Sequence, residues 1–220
     1  TKRNNICVIS NIVLKLYDSA EYIFKMDEDM YLTKGCLGKL QEVFDLIEND
    51  EYYNVGVVGP LVPLNSFCLY DFLKEKGALV DFQNKFGKIK RGCGIDDDRF
   101  RDNIGIDEYV WRISGNIDEL AKEYKGREPK YSTCDVRYMI GCVLFKRQLW
   151  KDMGGFRVGV GKGSGTEGDE GQLIAHCALN SKVFVCANDV VVGHFSFGGA
   201  EESVLKLKAE CPEIFAIKEY

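Results

Sequence analysis

Asp27, Glu28 and Asp29 close the apolar run Ile23-Phe24-Lys25-Met26. Adjacent carboxylates repel, and desolvating them is costly, so either they stand in water on a loop or something positive holds them together. Two carboxylates together with phosphate oxygens suit a hard divalent cation, Mg²⁺ or Mn²⁺. Carboxylates at the carboxyl end of a buried strand also lie where open α/β sheets bind ligands. The plain alternative is a solvated acidic turn. His194, between VVVG and FSFGG, ends a second expected strand. A lone histidine there is ordinarily a satisfied core residue; equally, its imidazole can be the nitrogen ligand that joins the carboxylates. The other histidine, His176, falls on an expected helix and reads as structural or surface. Asp169 and Glu170 open that helix, where the helix dipole alone favours acids. The chemical alternative is a general base on a helix over a reaction cleft.

Two further stretches carry less. GVGKGSGT fails the phosphate-loop pattern, because Phe156 stands five residues before Gly161 and Gly163 follows Lys162. The glycine-rich residues 157–168 read instead as a lid. Asp96, Asp97 and Asp98 lack calcium-loop spacing and read as a solvated loop.

The elements that must position these groups alternate. NICVI (5–9) reads as a short strand, 11–20 as a helix and EYIFKM as a buried strand. Leu37, Leu40, Val43, Phe44 and Ile47 recur at helical spacing within 34–49. NVGVVGPLVP is a further strand, and the alternation implies an α/β sheet. Residues 64–134 are too long for a plain loop and read as mainly helical. RYMIGCVLFKRQLW is a strand running into a helix, and DEGQLIAHCALN is a helix. KVFVCAN and VVVGHFSF are two strands, and EESVLKLKAE is a helix in the tail.

The chain has 220 residues, 45% hydrophobic and 29% charged, with a net charge of −5. That is ordinary for a globular domain and disfavours non-specific nucleic-acid binding. No apolar run approaches the roughly 20 residues of a membrane span. Nine cysteines are scattered without a CxxC pair. They read as reduced thiols of a cytoplasmic protein rather than as a zinc site.

The ordered set of Asp-x-Asp at a strand end, GCVLFKRQLWKDMGGF, a glycine-rich loop into DEGQL, and a strand ending in GHFSF resembles the GT-A glycosyltransferases, especially the inverting family 2. The resemblance covers about residues 1–63 and 136–198. It implies a GT-A-like, Rossmann-like, mostly parallel sheet flanked by helices, with 1–200 as one catalytic domain. Residues 64–134 would be a helical insertion near the acceptor, and 201–220 a helical tail. Asp29 would hold the metal that bridges the donor diphosphate, Mn²⁺ or Mg²⁺, and Asp27 would lie near ribose and metal. His194 would ligate the same ion. Glu170, with Asp169 beside it, would supply the base. Gly141 and Cys142 would floor the acceptor cleft. The implied donor is a nucleotide sugar, foremost a UDP-sugar. The implied acceptor is a saccharide or glycolipid, at the inner face of a membrane.

Only 26 residues precede Asp27, fewer than the first strands of the family need. The expectation is therefore an unpaired sheet edge at NICVI, covered by an N-terminal extension or a partner chain. Two other functions fit the same residues. A sugar-phosphate nucleotidyltransferase would need a glycine-rich basic loop near its start, and a carbohydrate-binding scaffold would need no chemistry.

Overall fold

The computed structural model describes residues 5–94, 105–158, 168–196 and 201–217. The acidic loop at Asp96–Asp98 and nearly all of the expected lid at 157–168 lie outside them. The element order is α1 (Ile6–Leu16), β1 (Tyr22–Met26), β2 (Met30–Leu32), α2 (Cys36–Glu48), β3 (Val55–Leu61), α3 (Leu69–Glu75) and α4 (Leu79–Phe86). It continues with α5 (Gly105–Ser114), α6 (Ile117–Tyr124), β4 (Tyr131–Thr133), β5 (Cys142–Lys146), α7 (Arg147–Asp152), α8 (Asp169–Leu179), β6 (Val183–His194) and α9 (Glu201–Glu210).

The strands form one mixed sheet in the order β1-β5-β3-β6-β2, with β4 also on β6. It is mostly antiparallel, not mostly parallel as the resemblance implied. Among the described residues only β3 and β6 run parallel; β1–β5, β3–β5, β2–β6 and β4–β6 are antiparallel. Hydrophobic periodicity reports which segments are strands and not which way a neighbour runs. Here the chain between β3 and β5, whose described residues form α3–α6 and β4, returns so that β5 enters reversed between β1 and β3.

Both sheet faces are covered. On one, α2 buries Cys36, Leu40, Val43, Phe44 and Ile47 against Val58, Leu144 and Val185. On the other, Val57, Val143 and Phe145 join residues from α1, α3–α6 and α9. Central β3 is therefore buried along its whole length, as its continuous apolar run requires. The C-terminal helix shares this core, with Val204 and Leu207 fully buried.

NICVI is not a strand. Asn5 caps α1 by accepting from the Val8 amide at 3.2 Å, and the helix begins at Ile6. Arg147 closes the other end of this helix by donating to the carbonyls of Leu14, Tyr17 and Ala20. One sheet edge is β1 instead: it ends the strand order, with Tyr22–Lys25 half-buried and Met26 exposed, not core. KVFVCAN and VVVGHFSF also merge into one twelve-residue strand, β6. Where the two runs meet, the strand continues and its register against β3 shifts between Ala187 and Val191. Asn188 meanwhile donates to the Pro129 carbonyl and the Ser132 hydroxyl, tying β4 to the irregularity.

Candidate functional site

The acidic triplet bridges two strand pairings. The Asp27 amide still donates to the Gly141 carbonyl at 2.8 Å, extending β1 along β5. The Asp29 carbonyl already accepts from the Phe195 amide at 2.8 Å, extending β2 along β6. One residue, Glu28, separates them. The Asp-x-Asp spacing thus crosses from one pairing to the other at the carboxyl ends of β1 and β6.

Lys25 answers what holds the acids. Successive side chains of β1 point to opposite faces, which puts Lys25 and Asp27 on the same side. The Lys25 ammonium donates to Asp27 Oδ1 at 2.8 Å and to the Ile140 carbonyl at 3.3 Å. It also lies 3.4 Å from Asp169 Oδ2, at the start of α8. Its side chain is only 12% exposed. Burial pulls the ammonium toward neutrality, but Asp169 and Asp27 outweigh it and raise its pKa above the ordinary 10.5. Asp169 itself is 8% exposed. Its Oδ2 makes no hydrogen bond, so its stabilisation is the ion pair.

His194 Nε2 lies 3.1 Å from Asp29 Oδ2. Burial works to raise the Asp29 pKa, but the hydrogen bond and charge of His194 prevail and hold the carboxyl below its ordinary 3.8. The histidine's backbone is fixed by Trp111 on α5, whose indole N–H donates to the carbonyls of His194 and Phe195 at 3.0 and 2.9 Å. Trp111 packs edge-on to Tyr31 and against Phe215. Gly193 lets this ring approach, since an added Cβ would lie 2.7 Å from Trp111 Cη2.

Glu170 is held by Arg137, whose Nε and Nη2 both lie 2.5 Å from Oε1. Gly141 keeps the floor of the site open: an added Cβ would meet Met30 Sδ at 3.3 Å and Asp27 Oδ2 at 3.4 Å. The Cys142 thiol is buried in the core on the α2 side. A hydrogen bond with Cys36 and burial push its pKa well up.

The structure therefore gathers five of the expected residues at one end of the sheet: Asp27, Asp29, His194, Asp169 and Gly141. Glu170 stands beside Asp169 on the same helix. Asp27 is engaged by Lys25, and among the described residues no three His, Cys, Asp or Glu side chains group as a metal set. The Asp29–His194 pair does fit an ion. Two donors at right angles, each ~2.1 Å from an octahedral cation, lie about 3.0 Å apart, close to the observed 3.1 Å. Diphosphate oxygens and water would supply the remaining positions.

Lys25, Arg137 and Trp111 escaped the sequence reading. Lys25 alone carried a signal, a cation inside an apolar strand two residues before the acids. Arg137 and Trp111 come from the long helical segment and its exit, and only folding brings them here. No family model matches the chain, and neither a curated protein nor a solved structure matches it. Among the described residues, no helix is long and apolar enough to cross a membrane.

Proposed function

We propose that the chain is a metal-dependent glycosyltransferase of GT-A type. It would move a sugar from a nucleoside-diphosphate donor to a saccharide or glycolipid acceptor with inversion. The observation that carries this reading is the meeting of three remote stretches, Asp27–Asp29, Asp169–Glu170 and His194, at the carboxyl ends of β1 and β6. Lys25 and the Asp29–His194 contact join them. Open sheets bind ligands at that end.

Asp29 and His194 would hold Mn²⁺ or Mg²⁺, which when bound supplies Lewis-acid stabilisation to a diphosphate leaving group. The acceptor hydroxyl has a high pKa and loses its proton as it attacks. Glu170 takes that proton, a contribution of about 10²–10⁴-fold. Arg137 holds the Glu170 carboxylate in place while it acts. A UDP-sugar is the expected donor, and an acceptor at a membrane surface would make the association peripheral.

The test is incubation with Mn²⁺ and a panel of nucleotide sugars, with detection of released nucleoside diphosphate. Release that increases with acceptor supports transfer. Pyrophosphate would assign a nucleotidyltransferase, and no turnover with any donor would leave a carbohydrate-binding scaffold.

A further inference from the structure

We propose that the Lys25 ammonium is a built-in cation that takes Asp27 and Asp169 out of the metal set, so that a divalent ion binds at Asp29 and His194 alone. The inference rests on the metal-dependent reading above and deepens it. An ammonium has three N–H donors. The structure gives Lys25 two acceptors, Asp27 Oδ1 at 2.8 Å and the Ile140 carbonyl at 3.3 Å, and an ion pair with Asp169 Oδ2 at 3.4 Å. With its side chain 12% exposed, the ammonium is not a solvent-facing charge.

Asp169 supplies an independent observation. It is 8% exposed, and its Oδ2 has no hydrogen bond. A buried carboxylate of this kind needs a positive partner, and among the described residues Lys25 lies within ion-pair distance. Moving a divalent ion onto Asp27 would bring it against the ammonium that Asp27 already holds at 2.8 Å, a like-charge contact at short range even with the Asp27 side chain 42% exposed. Asp29 feels the Lys25 charge only as a minor influence, and its hydrogen-bond partner is an imidazole that can itself ligate. Lys25 is thus a positioning residue: it links the end of β1 to the first turn of α8 and decides which carboxylate the metal takes.

The test is a Mn²⁺ titration of the full chain, following free Mn²⁺ by electron paramagnetic resonance. The wild type should bind one equivalent. Asp29→Asn should weaken it by about tenfold or more, whereas Asp27→Asn should change it by less than about threefold. Lys25→Met should expose two uncompensated carboxylates and either add a second equivalent or tighten binding by about tenfold. Asp27→Asn as damaging as Asp29→Asn would overturn the proposal, as would Lys25→Met with unchanged or weaker binding. If Lys25→Met does not fold, Lys25→Met/Asp169→Asn removes both buried charges and uncovers Asp27. It should then tighten binding, and no tightening refutes the idea. A wild type that binds no Mn²⁺ would refute the metal-dependent reading instead. Mn²⁺ binding gained by Lys25→Met would in that case still support the built-in cation, and no gain would end it.

Discussion

Replacing Arg147 with Met should cost more stability than any other single change outside the apolar core. The side chain is 5% exposed. Its guanidinium donates to the Leu14, Tyr17 and Ala20 carbonyls, all at the end of α1 and the loop into β1. The Arg147 amide also donates to the Glu21 carbonyl at 2.8 Å. A hydrogen bond to a charged group contributes about 1.5–3 kcal/mol, so three sum to several kcal/mol. Two effects reduce that sum. Met fills much of the same volume, and the carbonyl of Tyr17, whose residue is 67% exposed, can be hydrated once the guanidinium leaves. The expected loss is therefore about 3–5 kcal/mol, out of a total of about 5–15 kcal/mol for a domain of this kind. Urea unfolding reads it as a lower midpoint at nearly constant slope. Amide exchange should quicken in α1 before α2, because α1 loses its C-terminal carbonyl partners while α2 keeps its core. A loss under about 1 kcal/mol would show that the α1–β1 loop holds itself, and that Arg147 follows its shape rather than setting it.

Glu170→Gln should abolish glycosyl transfer while nucleoside-diphosphate binding with Mn²⁺, measured calorimetrically, stays within about threefold, since the base acts on the acceptor. Gly193→Ala places a methyl carbon 2.7 Å from Trp111 Cη2 and 3.2 Å from Tyr31 Cβ. It should destabilise by about 1–3 kcal/mol in thermal unfolding and weaken Mn²⁺ binding by displacing His194. Tyr22, through burial and its hydrogen bond to Asp45, has its pKa raised from 10.0 to about 12. A raised folded value means that its contribution is complete below pH 10.0 and lost as the pH climbs through about 12. Tyr22→Phe should remove one late component from the tyrosinate absorbance titration and flatten the fall in stability across that window.

The amphipathic helix at α2 was legible because Leu37, Leu40, Val43, Phe44 and Ile47 repeat at helical spacing; the last four are buried as that spacing requires, whereas Leu37 is exposed. The strand at β3 was legible because a short apolar run can be covered on both faces. Asp27, Asp29 and His194 stood out because a charge or imidazole at the end of an apolar run needs a reason. These are local signals, held within about a dozen residues. NICVI misled because a short apolar run suits helix and strand equally. Its fate rested on a cap from Asn5 and on Arg147, over 120 residues further along. Strand direction, the merger of two runs into β6, and the partners Lys25–Asp169 and Arg137–Glu170 are likewise pairings between remote segments. Sequence by itself determined which residues were worth a site, since charge and periodicity are written locally. Only tertiary structure decided which charge meets which, because an ion pair is set by distance in space.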